Sequence, residues 1–574
     1  MLDWLRSTIG KKPDHPMRDV AAAQKLLREL PADNGKALEE ISSWLDTVAA
    51  TEGFDPSERA GVVKLLDETG QVRERAELMI FLRGGTHKDF ERLRRWQLVV
   101  DFWECVAGAY GVCLKEAPPG EKTGSPEQAA RALLAARTLR ALSNEAKQLQ
   151  FRYLPVPLTI WRGLSDVYNL SEQNGVAEVS QKVYAGDAVA STPRQEFLRA
   201  LMLDLSRPES ARPEHIEIAS RVIARLSAGF AFSAKPEAGC NLCFDLAQPA
   251  RPAHCPPGQV ARESMRYFGA GRVPGAIREI IDRHTAHADE PERRFGDEFS
   301  IGDKLIVLKH LLVCWDEAPP RQVEPMVKIN SPIKLARGFV GATGLATLVE
   351  FSGMAEMTGD QLIRMKEQTG LGLEERKVDV PTVEWIERDA GKWGIGVDIP
   401  RQDESWASIG TLCTFQPAGR HVWWLGVIRR LYRDVQDREH AGVEILAKKP
   451  MSVWLRGLGE GAERADNWAT SSGSFQFTYA NALILGEGAT SEAGHDLIVA
   501  RDSFVRPGIL FEVMMGEKPP QVKFEELLER GEDFDRVRVS WLGAEMGVSR
   551  ASTPPAPRRL PHENACGETP IPGS

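Results

Sequence analysis

Cys240, Cys243, His254 and Cys255 are the side chains whose types could most directly do chemistry. Four nitrogen and sulfur ligands in a C-x-x-C…H-C order are the donor set of a tetrahedral zinc site. The spacing fits no strong template, and adjacent His and Cys are awkward as joint ligands in an extended chain. Leu242 and Phe244 read as a strand, so buried cysteines without metal are expected. Asp389-Ala390-Gly391-Lys392-Trp393-Gly394 offers a carboxylate and two glycines between two apolar runs, which a plain hairpin turn also needs. Arg429, Arg430 and Arg433 form an Arg-x-x-x-Arg, either ligand-contacting or solvated at a strand end. Gly338 to Gly344 has the wrong spacing for a dinucleotide fingerprint and lacks the basic residue of a P-loop, so a turn or close packing is expected. His495-Asp496 lacks partner histidines at helical spacing, and His284 and His287 lie in a charged segment read as a solvated face. No Ser/His/Asp or Cys/His triad can be assembled by spacing, and the reading is non-enzymatic, with no cofactor.

The elements that must position these residues divide the chain. Leu38, Ile41, Leu45 and Val48 recur at helical spacing, and Asp55-Pro56-Ser57-Glu58 is a helix start in which Glu58 can reach back. Ser125-Pro126-Glu127-Gln128 repeats that grammar before the long run Ala129 to Phe151, after a breaker-rich linker from Lys115 to Gly124. Helical patterns continue from Pro193 to Leu205 and from His215 to Leu226. Beyond about residue 380 the period becomes that of strands: Ile395, Val397 and Ile399 alternate, Val422 to Ile428 is continuously apolar, and Val537, Val539 and Trp541 alternate again. The expected fold class is α+β, with a helical module over 1–230 and a mixed α/β connection over 231–335. A β-barrel region over 336–460, a β-rich extension over 461–550 and a disordered tail over 551–574 complete it.

Asp389 to Gly394, between the strands Val383 to Glu387 and Ile395 to Ile399, resembles the Asp/Asn-x-Ser-x-x-Gly signature of PilZ domains, small barrels that bind cyclic di-GMP. Asp389 and Gly394 match, and Gly391 stands where the family has serine. The cadence that follows, Ile409-Gly-Thr-Leu412, Trp424-Leu-Gly-Val-Ile-Arg-Arg430 and Gly442-Val-Glu-Ile-Leu446, is also similar to PilZ strands. The whole chain looks like long betaproteobacterial proteins with a helical first half and a divergent PilZ-like end. In the first half the likeness rests on Arg152-Tyr-Leu-Pro-Val-Pro-Leu-Thr-Ile-Trp161 and Arg194-Gln-Glu-Phe-Leu-Arg-Ala-Leu-Met202. The resemblance implies arginine forks on guanine edges or phosphates, a carboxylate accepting from guanine N–H groups, and glycines allowing close approach. In the family an Arg-x-x-x-Arg precedes the aspartate motif; here that stretch offers only Arg376 and Lys377. The implied ligand wall is Asp389, Gly391 and Gly394, with forks from Arg376, Arg388, or the strand carrying Arg429, Arg430 and Arg433.

Composition bounds the rest. The 574 residues allow about three or four domains. Hydrophobic residues at 42% and charged residues at 27% exclude wholesale disorder. A net charge of −9 does not favour a broadly basic surface, so no DNA partner is expected. The longest apolar run, Leu305 to Trp315, is too short to span a bilayer, and Asp3 and Arg6 break any signal-peptide core. Eight scattered cysteines agree with a reducing compartment, and a cytoplasmic protein is expected. Two roles remain open: a signalling protein that binds cyclic di-GMP and relays it to an unidentified protein through the helical module, or a scaffold that keeps the barrel without nucleotide.

Overall fold

The computed structural model describes residues 13–83, 89–118, 124–256, 258, 260–286, 294–316, 326–353, 380–458, 479–485, 496–501, 503, 507–513 and 519–542. Arg376, His287, His495 and the tail 551–574 lie outside the described residues.

The first region is helical: α1 (Val20–Leu27), α2 (Asn34–Ala50), α3 (Pro56–Arg83), α4 (Asp89–Glu116), α5 (Pro126–Gln150), α6 (Leu158–Gln173), α7 (Pro193–Asp204) and α8 (Pro213–Leu226). Leu38, Ile41, Leu45 and Val48 are fully buried, as their spacing requires. Asp55 Oδ1 accepts from the N–H groups of Ser57 and Glu58 at 2.9 and 3.2 Å. Glu58, expected to reach back, instead accepts from the Val20 N–H at 3.1 Å and ties α3 to α1. By length and composition α4 contains a stretch, Phe90–Glu116, that could cross a membrane. Here its Val99, Phe102, Trp103, Val106 and Tyr110 are buried in the helical core. The central α5 carries buried cations, two of them matched closely by buried carboxylates: Arg140 to Glu196 at 2.7 and 2.9 Å, and Lys147 to Glu217 at 2.8 Å. Such pairs hold neighbouring helices in register, because removing one partner strands a buried charge.

A four-stranded antiparallel sheet follows, ordered β1-β4-β2-β3, from β1 (Ala231–Ser233), β2 (Leu242–Asp245), β3 (Ala253–His254) and β4 (Met265–Gly269). With α9 (Val273–Ala286) and α10 (Ile301–Cys314) it closes over the helices: Phe244, Phe268, Ile277 and Leu308 share one core with Phe197, Leu201 and Ile216.

The remainder builds two closed six-stranded barrels. The first uses β5 (Val327–Arg337), β6 (Val383–Ala390), β7 (Gly394–Asp398), β8 (Leu412–Gln416), β9 (Trp424–Arg433) and β10 (Glu439–Ala447), ordered β10-β7-β6-β5-β8-β9. The second uses β11 (Met451–Leu458), β12 (Tyr479–Ile484), β13 (Asp496–Ala500), β14 (Leu510–Val513), β15 (Gln521–Arg530) and β16 (Phe534–Leu542), ordered β11-β12-β13-β16-β15-β14. Ile333, Trp385, Val397, Phe415, Ile428 and Val443 fill the first interior. Gly338 turns the chain with φ +77°, and the glycine-rich segment after it, expected as turn or close packing, enters a helix, α11 (Gly338–Gly353). Packing overrides propensity there. Phe339, Ala342 and Ala346 are wedged between Leu412, Leu425 and Val427 of the first barrel and Leu483, Ile498 and Phe534 of the second. This wedge explains why Val422 to Ile428 is continuously apolar: that part of β9 is buried on both faces.

Candidate functional site

The Asp389 motif is the hairpin joining β6 to β7. Gly391 N–H donates to the Gly394 carbonyl at 2.8 Å, closing the turn. The Asp389 carboxylate lies over Gly396 so closely that any Cβ there would collide with it. A Cβ on Gly391 would sit 2.9 Å from Met326 Sδ, so the family's serine would require Met326 to move.

Arg388 is the extra residue of a β-bulge, because Glu387 pairs with Val397 and Asp389 with Gly396. The bulge sends its guanidinium across the barrel wall. Arg388 Nη1 donates to Tyr432 Oη at 2.6 Å and lies 3.1 Å from His440 Nδ1, with Nε 3.6 Å from Asp398. His440 Nδ1 is 2.7 Å from Asp398 Oδ1, and its ring stacks on Tyr432 at 4.8 Å between centroids. Arg388, Asp398, His440 and Tyr432 thus form one row across β6, β7, β10 and β9.

The three arginines of β9 go to three different places. Arg429 is also a bulge residue, since Gly442 pairs with Arg430 and Val443 with Ile428. It reaches Glu444 at 2.6 Å and holds Glu529 of β15 with both terminal nitrogens, one at 2.8 Å. Burial opposes its charge, yet Glu529 and Glu444 raise its pKa, so it is a fixed cation joining the two barrels. Arg430 is largely exposed and lies 3.4 Å from Glu209 of the helical region. Arg433 is buried at the end of the barrel, at 2.9 Å from Glu404 and 3.1 Å from Glu439. Burial lifts the Glu439 carboxyl to about 7, a rise that Arg433 opposes and Glu404 reinforces.

The helical region meets this end of the barrel through the segment after α5. Tyr153 N–H bonds the Gln150 carbonyl and Leu154 N–H the Leu149 carbonyl, a Schellman ending. The left-handed position, normally glycine, is Tyr153 with φ 58°. Its ring packs against the barrel core, and its carbonyl accepts from the Arg433 N–H at 2.9 Å. Beside this joint a cleft of about 530 Å³ opens between the two regions. Tyr153, Trp161, Arg251, Arg430, Tyr432 and Arg433 are among the residues lining it. The volume suits a small-molecule site, and the lining combines ring faces with guanidinium groups.

The structure therefore brings Asp389, Gly391 and Gly394 together in one hairpin and sets Arg388 beside them. It keeps Arg430 and Arg433 beside the cleft, Arg430 exposed and Arg433 held by Glu404 and Glu439, and turns Arg429 away to Glu529. Spacing pointed to none of Tyr153, Arg251, Tyr432, Glu439 and His440, although Tyr153 lies inside the segment 152–161 that carried the resemblance. Cys240 and Cys243 are buried with Met265 and Tyr267, while His254 is exposed on β3, away from a joint ligand set. Burial pushes the Cys255 thiol up to about 12, with Cys243 adding to the rise. Among the described residues no group of three or more His, Cys, Asp and Glu could hold a metal ion.

Comparison with known proteins adds an independent finding. No curated protein matches the chain. Residues 21–237 match the family model described as the cyclic-di-GMP receptor FimW, N-terminal domain. This region runs from α1 into the segment that follows β1, so it is distinct from the hairpin and strands that carry the PilZ likeness. Over its helical region the chain is thus similar to the N-terminal domain of a cyclic-di-GMP receptor, and the two barrels lie beyond the matched residues.

Proposed function

We propose that this protein binds cyclic di-GMP at the first barrel and relays the bound state by protein–protein contact through the helical module, in the cytoplasm. It acts by binding, not catalysis. The observation that carries this reading is the continuity of the Arg388–Tyr432 row with the cleft holding Arg430, at the joint to the family-matched domain. Arg388 and Arg430 supply forks for guanine edges or phosphates, Asp389 accepts from guanine N–H groups, and Tyr432 offers a ring face. Arg429 and Arg433 hold the frame. Because Gly391 lacks the serine hydroxyl, binding is weaker than in a barrel with the full signature.

Calorimetric titration of cyclic di-GMP into the full chain tests this. Arg388→Ala and Arg430→Ala should each weaken binding about tenfold, the lower half of the roughly 1–3 kcal/mol of a paired arginine contact. Binding unchanged in both variants removes these residues from the site. No binding by the wild type favours the second reading, a scaffold with a nucleotide-free barrel, which the engagement of Arg429 and Arg433 by carboxylates supports.

A further inference from the structure

The end of the first barrel away from Arg433, where the Asp389 hairpin turns, carries a further feature. Lys392 and Trp393 form the β6–β7 turn, Arg420 lies in the β8–β9 connection, and Lys448 and Lys449 follow β10. Lys448 Nζ sits between two indoles, 4.7 Å from the centroid of Trp393 and 4.8 Å from that of Trp424. Lys392 covers Trp393 at 5.7 Å and Arg420 covers Trp424 at 5.4 Å. The result is a ladder of alternating cations and rings. Among the described residues none of Lys392, Arg420, Lys448 and Lys449 makes an ion pair with a carboxylate, in a chain whose net charge is −9.

Apolar side chains border this ladder. Met326, Val327 and Ile329 at the start of β5 are 39%, 64% and 41% exposed, with Lys328 exposed among them. Val327 pairs with Ala390, and Met326 Sδ lies against Gly391, so they stand next to Lys392. A soluble anion could use the cations but not these apolar groups, whereas a bilayer surface uses both. Uncompensated charge with exposed apolar groups at a barrel end, not in a groove, fits an interface.

We propose that this end of the first barrel docks on an anionic lipid surface, with Lys392, Arg420, Lys448 and Lys449 facing headgroups and Met326 and Val327 entering the interfacial layer. Flotation of the full chain with vesicles containing phosphatidylglycerol and phosphatidylcholine in equal amounts tests it. The protein should float with these vesicles at low salt, remain behind with phosphatidylcholine alone, and be released as salt rises. Each of Lys392→Gln and Lys449→Gln should reduce partitioning about fivefold, the effect of one cation near such a surface. Val327→Asp, at an exposed position, should also lower it while near-ultraviolet circular dichroism stays unchanged. Absence of flotation by the wild type overturns the proposal, as does wild-type flotation by the folded variants. Loss of binding to a single-stranded oligonucleotide in the same lysine variants, with vesicles ignored throughout, assigns the patch to nucleic acid and overturns it equally.

Discussion

Where β9 passes into β10, Arg433, Glu404 and Glu439 are packed beneath the helical region, and every charge has a partner of opposite sign nearby. At the other end of the same six strands, Lys392, Arg420 and Lys448 stand beside indole rings and make no ion pair with a carboxylate among the described residues. The two ends share strands and core but differ in what covers them. At the covered end, charge is removed from water and must be neutralised locally; at the open end water and ions can screen it. The covered end is accordingly a structural joint with the cleft beside it, and the open end leaves its cations to solvent.

Removing one cation from each end should separate the two most strongly. Arg433→Ala leaves Glu404 and Glu439 facing each other under the helical region. At pH 8 it should cost about 3–5 kcal/mol in urea unfolding, the usual cost of breaking a buried pair. A loss below about 1 kcal/mol would show that this end is as solvated as the other.

Glu439 gives the next largest effect, and its sign is definite. Its folded-state carboxyl is lifted from 4.5 to about 7, so the folded chain holds the proton more tightly than the unfolded chain. The resulting stability is complete below about pH 4.5 and is lost as pH rises through about 7. Glu439→Gln, which imitates the protonated acid, should flatten the fall between pH 5 and pH 8. It should add about 2 kcal/mol at pH 8, seen as a higher melting temperature. An unchanged pH profile would refute the buried position of this acid.

The smallest effect belongs to the open end. Lys448→Ala removes a cation from between two indoles, worth no more than about 1 kcal/mol at an accessible site. A loss comparable to that of Arg433→Ala would mean that the ladder is a structural brace, contrary to the comparison.

Much of the architecture was legible because it is periodic. The helical region could be read from Leu38, Ile41, Leu45 and Val48 and from the caps at Asp55 and Ser125, and the strands from alternation around Val397 and Val537, although the closure of the second set into a barrel of its own was not. The sheet of β1 to β4 was not legible, since its strands are two to five residues long and too short to establish a period. Site residues fared differently from elements. The Asp389 hairpin was visible as a motif, but the positions of the β9 arginines were not. Spacing alone puts Arg429 and Arg433 on one face of a strand, and the bulge at Arg429 changes that parity.

The sequence by itself determined the order of helices and strands, the apolar faces that bury them and the acid–glycine hairpin, because these depend on neighbours within a few residues. Only the tertiary structure decided which arginine became a brace between barrels, which became a buried ion pair and which was left exposed. It also decided that Tyr153 takes the left-handed position of a helix end. The physical reason is that Arg429 is 100 residues from Glu529, and Tyr153 lies far along the chain from Arg433. The energy of a buried charge or a strained backbone is set by groups that meet only after the chain has folded.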